Sequence, residues 1–234
     1  VNSINASSTP LIILDGAPVS ASIFNSLNSN DIENITVIKD ATSLYGSKAA
    51  NGVILIETKR GHSMATKNVA DVAMGQTMEP NRIPTLNTAE NRLLISELYK
   101  NTLFSPIDVN AMPMFNENEN YVYYLKYHNN TDWGKDIYRN GFNQSYSARA
   151  TGGDDRGMYA LSVGYSNNNG VVAGTNTSHI SFRFNSDMNI AKNITSVVDF
   201  SISSINNDLF NDGMTSRTSP TYLAAVKSPM FAPY

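Results

Sequence analysis

The sequence predicts a membrane β-barrel architecture joined to a compact α/β module. Three observations carry that expectation. Three short apolar runs separated by turn residues fall between Pro10 and Gly61. From Asn68 onward Asn, Ser, Thr and Tyr become abundant, and apolar residues alternate with polar ones, the period of a half-buried strand. The connections between these alternating runs are in turn short and long, as expected for tight turns on one side of a membrane and loops on the other. A soluble sandwich shares the alternation but has no reason to share the turn pattern.

Leu11–Leu14 is an uninterrupted apolar run and suits a strand buried on both faces. Asp15-Gly16 ends it with turn chemistry, because Gly accepts positive φ and Asp bonds to nearby backbone. Asn30 or Asp31 is placed to cap a short helical turn. Ile35–Ile38, rich in β-branched residues, reads as the second strand. Lys39-Asp40 closes it, with Asp40 expected to cap one turn over Ala41–Tyr45 and Gly46 to end that turn. Asn51-Gly52 opens the third strand, Val53–Ile56, which leaves through Glu57-Thr58-Lys59-Arg60-Gly61.

Thr88–Leu103 reads as a helix. Leu93, Leu94, Leu98 and Leu103 fall near one face, and Thr88 with Asn91 makes a partial cap. Lying between strand-forming segments, it is placed in a loop outside the membrane. Gln144–Thr151 then sets Ser145, Ser147, Arg149 and Thr151 against Tyr146, Ala148 and Ala150. After the turn Gly152–Gly157, the run Met158–Tyr165 sets Tyr159, Leu161, Val163 and Tyr165 against Ala160, Ser162 and Gly164. A long polar loop is expected over SNNNGVVAGTNTSH, residues 166–179. Ile180, Phe182 and Phe184 alternate with Ser181, Arg183 and Asn185. Beyond a short turn, Ile194, Ser196, Val198, Phe200 and Ile202 alternate with Thr195, Asp199 and Ser201. One face is thus apolar and aromatic, while the other carries Arg149, Arg183, Asp199 and hydroxyls.

Composition narrows the function. A formal charge of −3 over 234 residues argues against a nucleic-acid footprint, which needs a clustered basic surface. The absence of cysteine excludes a disulfide framework and a thiolate metal site. No apolar run reaches the roughly eighteen residues of a membrane helix, which leaves a barrel open. His62, His128 and His179 have no metal spacing, and neither a G-x-S-x-G elbow nor a G-x-x-x-x-G-K-[ST] loop occurs. The acidic stretches NDIEN, NENEN and GGDD read as turns, caps and solvated loops. No catalytic residue, metal or cofactor is expected.

The phrases PLIILDGAPV and NSNDIENITVIKDATSLYGSKAANGVILIETKRG resemble the plug domain of the SusC/RagA family of TonB-dependent outer-membrane transporters. The linked pattern D-I-E-x-I-x-V-I-K-D-A-x-x-x-Y-G-x-x-A-x-N-G-V-I-x-I-x-T-K runs from Asp31 to Lys59. Stretches between Thr131 and Val172 and between Ser181 and Ser204 are similar to early barrel strands of the same family. The resemblance implies a barrel of about twenty-two strands with the α/β plug in its lumen. It assigns residues 1–61 to the C-terminal part of the plug and 62–234 to the first strands and loops of the barrel. The chain supplies four to six strands and cannot close a barrel alone. The family's TonB-contacting segment is expected upstream of VNSINASSTP.

The resemblance also gives the conspicuous residues roles. Asp15, Gly16, Lys39, Asp40, Tyr45, Gly46, Asn51 and Gly52 match the plug signature and are expected to shape the plug and its contacts with the wall. Trp133, near Tyr138 and Phe142, could stack on a sugar ring, although a membrane-interface belt is the plainer reading. Tyr121, Tyr123 and Tyr124 could line a substrate path or pack on their own loop. The implied activity is active import of an oligosaccharide across the bacterial outer membrane, with peptide as the alternative substrate. Implied partners are a SusD-like surface lipoprotein, the TonB complex and outer-membrane lipid. A soluble β-rich glycan-binding module is the rival reading.

Overall fold

A computed structural model of the chain describes residues 9–39, 41–62, 64–101, 108–210 and 217–233. Its first sheet has four strands: β1 (Leu11–Leu14), β2 (Ala17–Val19), β3 (Ile32–Ile38) and β4 (Val53–Thr58), in the order β2-β1-β4-β3. β1 and β4 run parallel, in register from Leu11↔Val53 to Leu14↔Ile56. β2 is antiparallel to β1, and β3 antiparallel to β4. Side chains alternate across β1, so it feeds two cores. Ile13 packs with Val53, Ala41 and Ala49, while Ile12 and Leu14 pack with Ile56, Phe24 and Leu27. Burying each such aliphatic contributes about 1.5–3 kcal/mol.

Three of these strands match the apolar runs; the details differ. β2 is too short to show a period, and its Pro18 is tolerated because the strand lies at the sheet edge. A helix, α1 (Ala21–Asn25), follows it, with Ser20 as its cap. The 3-10 turn Ser29–Asp31 is capped by Asn28, not by Asn30 or Asp31. β3 starts at Ile32, three residues before its β-branched run. The short helix α2 (Thr42–Tyr45) has no side-chain cap, and Asp40 lies outside the described residues. Gly46 ends that helix at φ +71. At Gly52, φ is +91 and a Cβ would lie 3.0 Å from the Ile38 carbonyl, so both conformation and space demand glycine.

The second sheet has five strands in sequence order: β5 (Met64–Thr77), β6 (Gly141–Gly153), β7 (Gly157–Asn169), β8 (Asn176–Ala191) and β9 (Ile194–Asp208). β6 and β7 pair antiparallel with Tyr146 opposite Tyr165. The alternation holds: Ala160, Ser162, Ser181, Arg183 and Asn185 are buried, while Leu161, Val163, Tyr165, Ile180 and Phe182 are exposed. Two expectations change. β5 begins at Met64, before the composition shifts. The polar stretch 166–179 is mostly strand, with only residues 170–175 between β7 and β8: Asn, Ser and Thr favour turns, but each keeps the backbone donor and acceptor that strand pairing needs. The long connection is 78–140, between β5 and β6.

The chain divides into two compact units. One takes residues up to 75 with 143–168 and 177–207; the other takes 76–142, 169–176 and 208–234. The second unit carries α3 (Thr88–Lys100), α4 (Tyr124–Tyr127), α5 (Trp133–Ile137) and α6 (Pro220–Val226). α3 starts with a full capping box, Asn87 accepting from Glu90 N and Glu90 accepting from Asn87 N, instead of the partial cap at Thr88. Its leucines are not a buried stripe: Leu93, Leu94 and Leu98 are exposed, and Leu103 lies outside the described residues. Asn87→Ala is expected to cost about 1 kcal/mol. Amide exchange at Glu90 should then accelerate roughly fivefold.

In the turn between β6 and β7, Asp154 Oδ1 accepts from the amides of Arg156 (2.8 Å) and Gly157 (3.1 Å). These backbone donors hold its carboxyl below the usual carboxylate range. A lowered folded value means the turn's stabilisation is complete above the ordinary carboxylate range and is lost as pH falls through the lowered value. Exchange at Gly157 N, corrected for its intrinsic pH dependence, should therefore stay protected at pH 5 and lose protection only in stronger acid.

Candidate functional site

Within the first unit, the turns flanking β1 and β3 and the end of β4 meet the small, polar face of β6, β7 and β8. Asp15, at φ +48, accepts from Thr58 N (2.8 Å) and Thr58 Oγ1 (2.7 Å), and its Oδ2 lies 3.6 Å from Arg183 Nη1. Asp31 lies 3.3 Å from Arg149 Nη2 and 4.0 Å from Arg183 Nε. Arg149 also donates to the Asn30 carbonyl. Asn185, 1% exposed, donates to Thr58 Oγ1 (2.9 Å) and to the Lys59 carbonyl (3.3 Å). Beyond β4 the polarity reverses, and Arg60 of the module bridges Asp187 (3.0 Å) and Asp199 (2.9 Å) of the sheet. Lighter contacts join Asn30 to Ser147 (3.1 Å) and Asn28 to Ser181 (3.4 Å).

Burial gives this seam its specificity. Arg183, Asp15 and Asp31 side chains are all under a tenth exposed. Charges in such a place are tolerated only when paired. The pairing also fixes register. A one-residue slip of β8 would bring Ile180 or Phe182 to the positions of Ser181 and Arg183. Gly61 packs so closely that a Cβ there would overlap the backbone N and carbonyl of Tyr159. The module's exit therefore lies directly on β7.

Of the eight signature residues, Asp15 alone has its side chain in the seam among those described. Gly16, Gly46 and Gly52 supply positive-φ turns. Lys39 and Tyr45 are exposed, Asn51 is half-buried in the turn before β4, and Asp40 is outside the described residues. Thr58, Arg60, Asn185 and Asp187 complete the seam, as does Asp31. Asp31 stood in the sequence as a cap candidate, and its carboxylate could not be told from that of a solvated turn. Arg149, Arg183 and Asp199 lie on the polar face of the alternating pattern, and that face forms the seam.

In the second unit, Trp133 is buried in α5, not exposed at a strand end. Its Nε1 donates to the Ser228 carbonyl (3.0 Å), and Lys227 Nζ lies 3.7 Å from the ring centroid. The ring packs the loops together and offers little surface for a sugar or for lipid. It borders a cavity of about 1090 Å³ whose lining includes Arg82, Ile83, Asn91, Asp132 and Ser228. Tyr121 and Tyr123 meet edge to face at 5.7 Å, and Tyr124 stacks on His128 at 3.8 Å. These tyrosines pack within their own segment. Among the described residues no helix is long and apolar enough to cross a membrane, and no cluster of acidic and histidine side chains could hold a metal ion.

Residues 2–53 match the family model of the TonB-dependent receptor plug domain. The chain is 31% identical over 202 residues to the TonB-dependent receptor SusC of Bacteroides thetaiotaomicron, a match covering 81% of this chain and 18% of that protein. It is 29% identical over 228 residues to the TonB-dependent receptor P26 of Formosa agariphila, covering 94% of this chain and 22% of the relative. The chain thus spans about a fifth of the length of these relatives. Among solved structures, its fold is similar to the RagAB peptide importer. For the open-open state the TM-score is 0.78 at 23% identity, over 99% of this chain and 28% of that one. For the closed-closed state the TM-score is 0.76.

Proposed function

We propose, for a chain that belongs to the SusC-like TonB-dependent receptors, that it forms part of an energised importer in the bacterial outer membrane. Residues 1–61 are the later part of the plug, and residues 62–234 are wall strands and loops. The observation that carries this reading is the seam. A separate α/β module lies on the polar face of an antiparallel sheet whose opposite face is aliphatic and aromatic. A lumen-filling plug needs the first contact, and a lipid-facing wall needs the second. A soluble glycan-binding module would leave Leu161, Val163, Ile180 and Phe182 in water to no purpose.

The transported substrate is an oligosaccharide in this reading, supported by the Asn-rich connection 78–140 between β5 and β6. A SusD-like lipoprotein covers the outer side, and the TonB complex delivers force from the inner membrane, since the outer membrane holds no nucleotide energy source. The likeness to a peptide importer favours peptide as the second reading. Growth of a deletion strain on defined polysaccharides and on defined peptide pools separates the two. Loss on a single glycan supports oligosaccharide import, and loss on peptides alone supports the second reading. No loss on either overturns both.

A further inference from the structure

The topology of the module dictates how it answers a pull. β1 enters the module and β4 leaves it, and the two are parallel neighbours. A load applied ahead of Leu11 acts at the N-terminal end of β1. The chain is held at the opposite end of the pair, beyond Thr58, where Arg60 bridges two acids, Asn185 grips Thr58 and the Lys59 carbonyl, and Gly61 lies on Tyr159.

Parallel strands loaded at opposite ends must slide, so the ladder bonds resist together. Leu11 N→Gly52 O (3.0 Å) and Asp15 N→Ile56 O (2.9 Å) bracket that ladder. A pair loaded at one end would instead open one bond at a time. β1 is also an interior strand with Ile12, Ile13 and Leu14 all buried, so sliding it out exposes three aliphatic side chains to water. At its far end Asp15 is tied to Thr58 and Arg183.

We infer that the β1–β4 pair is a shear clamp: a pull delivered ahead of Leu11 leaves the module from Leu11 to Gly61 folded and seated on the sheet. The source of the pull rests on the import reading. Gly46 and Gly52 then shape a fixed body, and the movement that opens a path lies outside Leu11–Gly61.

The test is single-molecule pulling on the full-length protein in a lipid bilayer, with the handle attached at either of two introduced cysteines. Through Thr9→Cys the pair is sheared, whereas through Ala17→Cys, at the other end of β1, it is unzipped. Release of residues 11–58 frees about 160 Å of chain. The expected rupture force is at least twofold higher through Thr9 than through Ala17. In the Thr9 geometry, Asp15→Asn should raise the rupture rate at fixed load about tenfold. Equal forces through the two handles, or a lower force through Thr9, would overturn the clamp. The measurement needs no substrate, so a deletion strain without a growth defect would remove the import reading and leave the clamp standing.

Discussion

Replacing Arg183 with methionine is expected to unseat the module from the sheet. Arg183 is the shared partner of Asp15 and Asp31, and all three side chains are under a tenth exposed. Among the described residues its removal leaves two buried carboxylates, Asp15 held by Thr58 and Asp31 by Arg149. Breaking a buried pair from one side costs about 3–5 kcal/mol, chiefly because the abandoned charge stays out of water. The loss is read as faster protease cleavage between Leu11 and Gly61 in the membrane-embedded protein. The double variant Asp15→Asn with Arg183→Met should recover part of it, since one stranded charge is then gone. If the double variant is as sensitive as the sum of the two singles, the Asp15–Arg183 pair is not coupled and this account of the seam is wrong.

Gly61→Ala is the second large effect. The added methyl would overlap backbone atoms of Tyr159, and backbone cannot rotate out of the way as a flexible side-chain end can. Either the module lifts from β7 or the strand bends, at a cost of about 3 kcal/mol. Gly75, where an added methyl would meet open space, is the matched control. Gly75→Ala should be neutral or stabilising by up to about 1 kcal/mol. Urea midpoints of module release, followed by protease sensitivity, distinguish the two. Equal midpoints for both alanine variants would contradict the close approach.

The legible parts of the fold share a physical cause. β1, β3 and β4 stood out because strands buried in a small sheet must be aliphatic. The two faces of β6 to β8 stood out because side chains alternate whatever the sheet later packs against. Sequence also placed Arg149, Arg183 and Asp199 on one face. It could not name their partners, because a seam is made by residues far apart in the chain: Thr58 and Asn185 are separated by 127 positions. Asp31 was ambiguous for the same reason, since its function depends on guanidinium groups more than a hundred residues away. Residues 166–179 misled because Asn, Ser and Thr are compatible with both loop and edge-to-edge pairing. Trp133 misled because a lone tryptophan near tyrosines fits an interface belt, whereas here its indole N–H and ring face are both taken by the segment around Lys227.

The α/β module sits on the polar face of the sheet and not on its aliphatic face, and the import function depends on that placement. Cysteine pairing in the full-length protein in intact cells tests it directly. Asn28→Cys with Ser181→Cys should link readily on mild oxidation, because the native side chains already meet at 3.4 Å. Asn28→Cys with Ile180→Cys should not link, because Ile180 is 55% exposed on the opposite face. Equal linking at 180 and 181, or linking at neither, would contradict the docked module and the import function built on it.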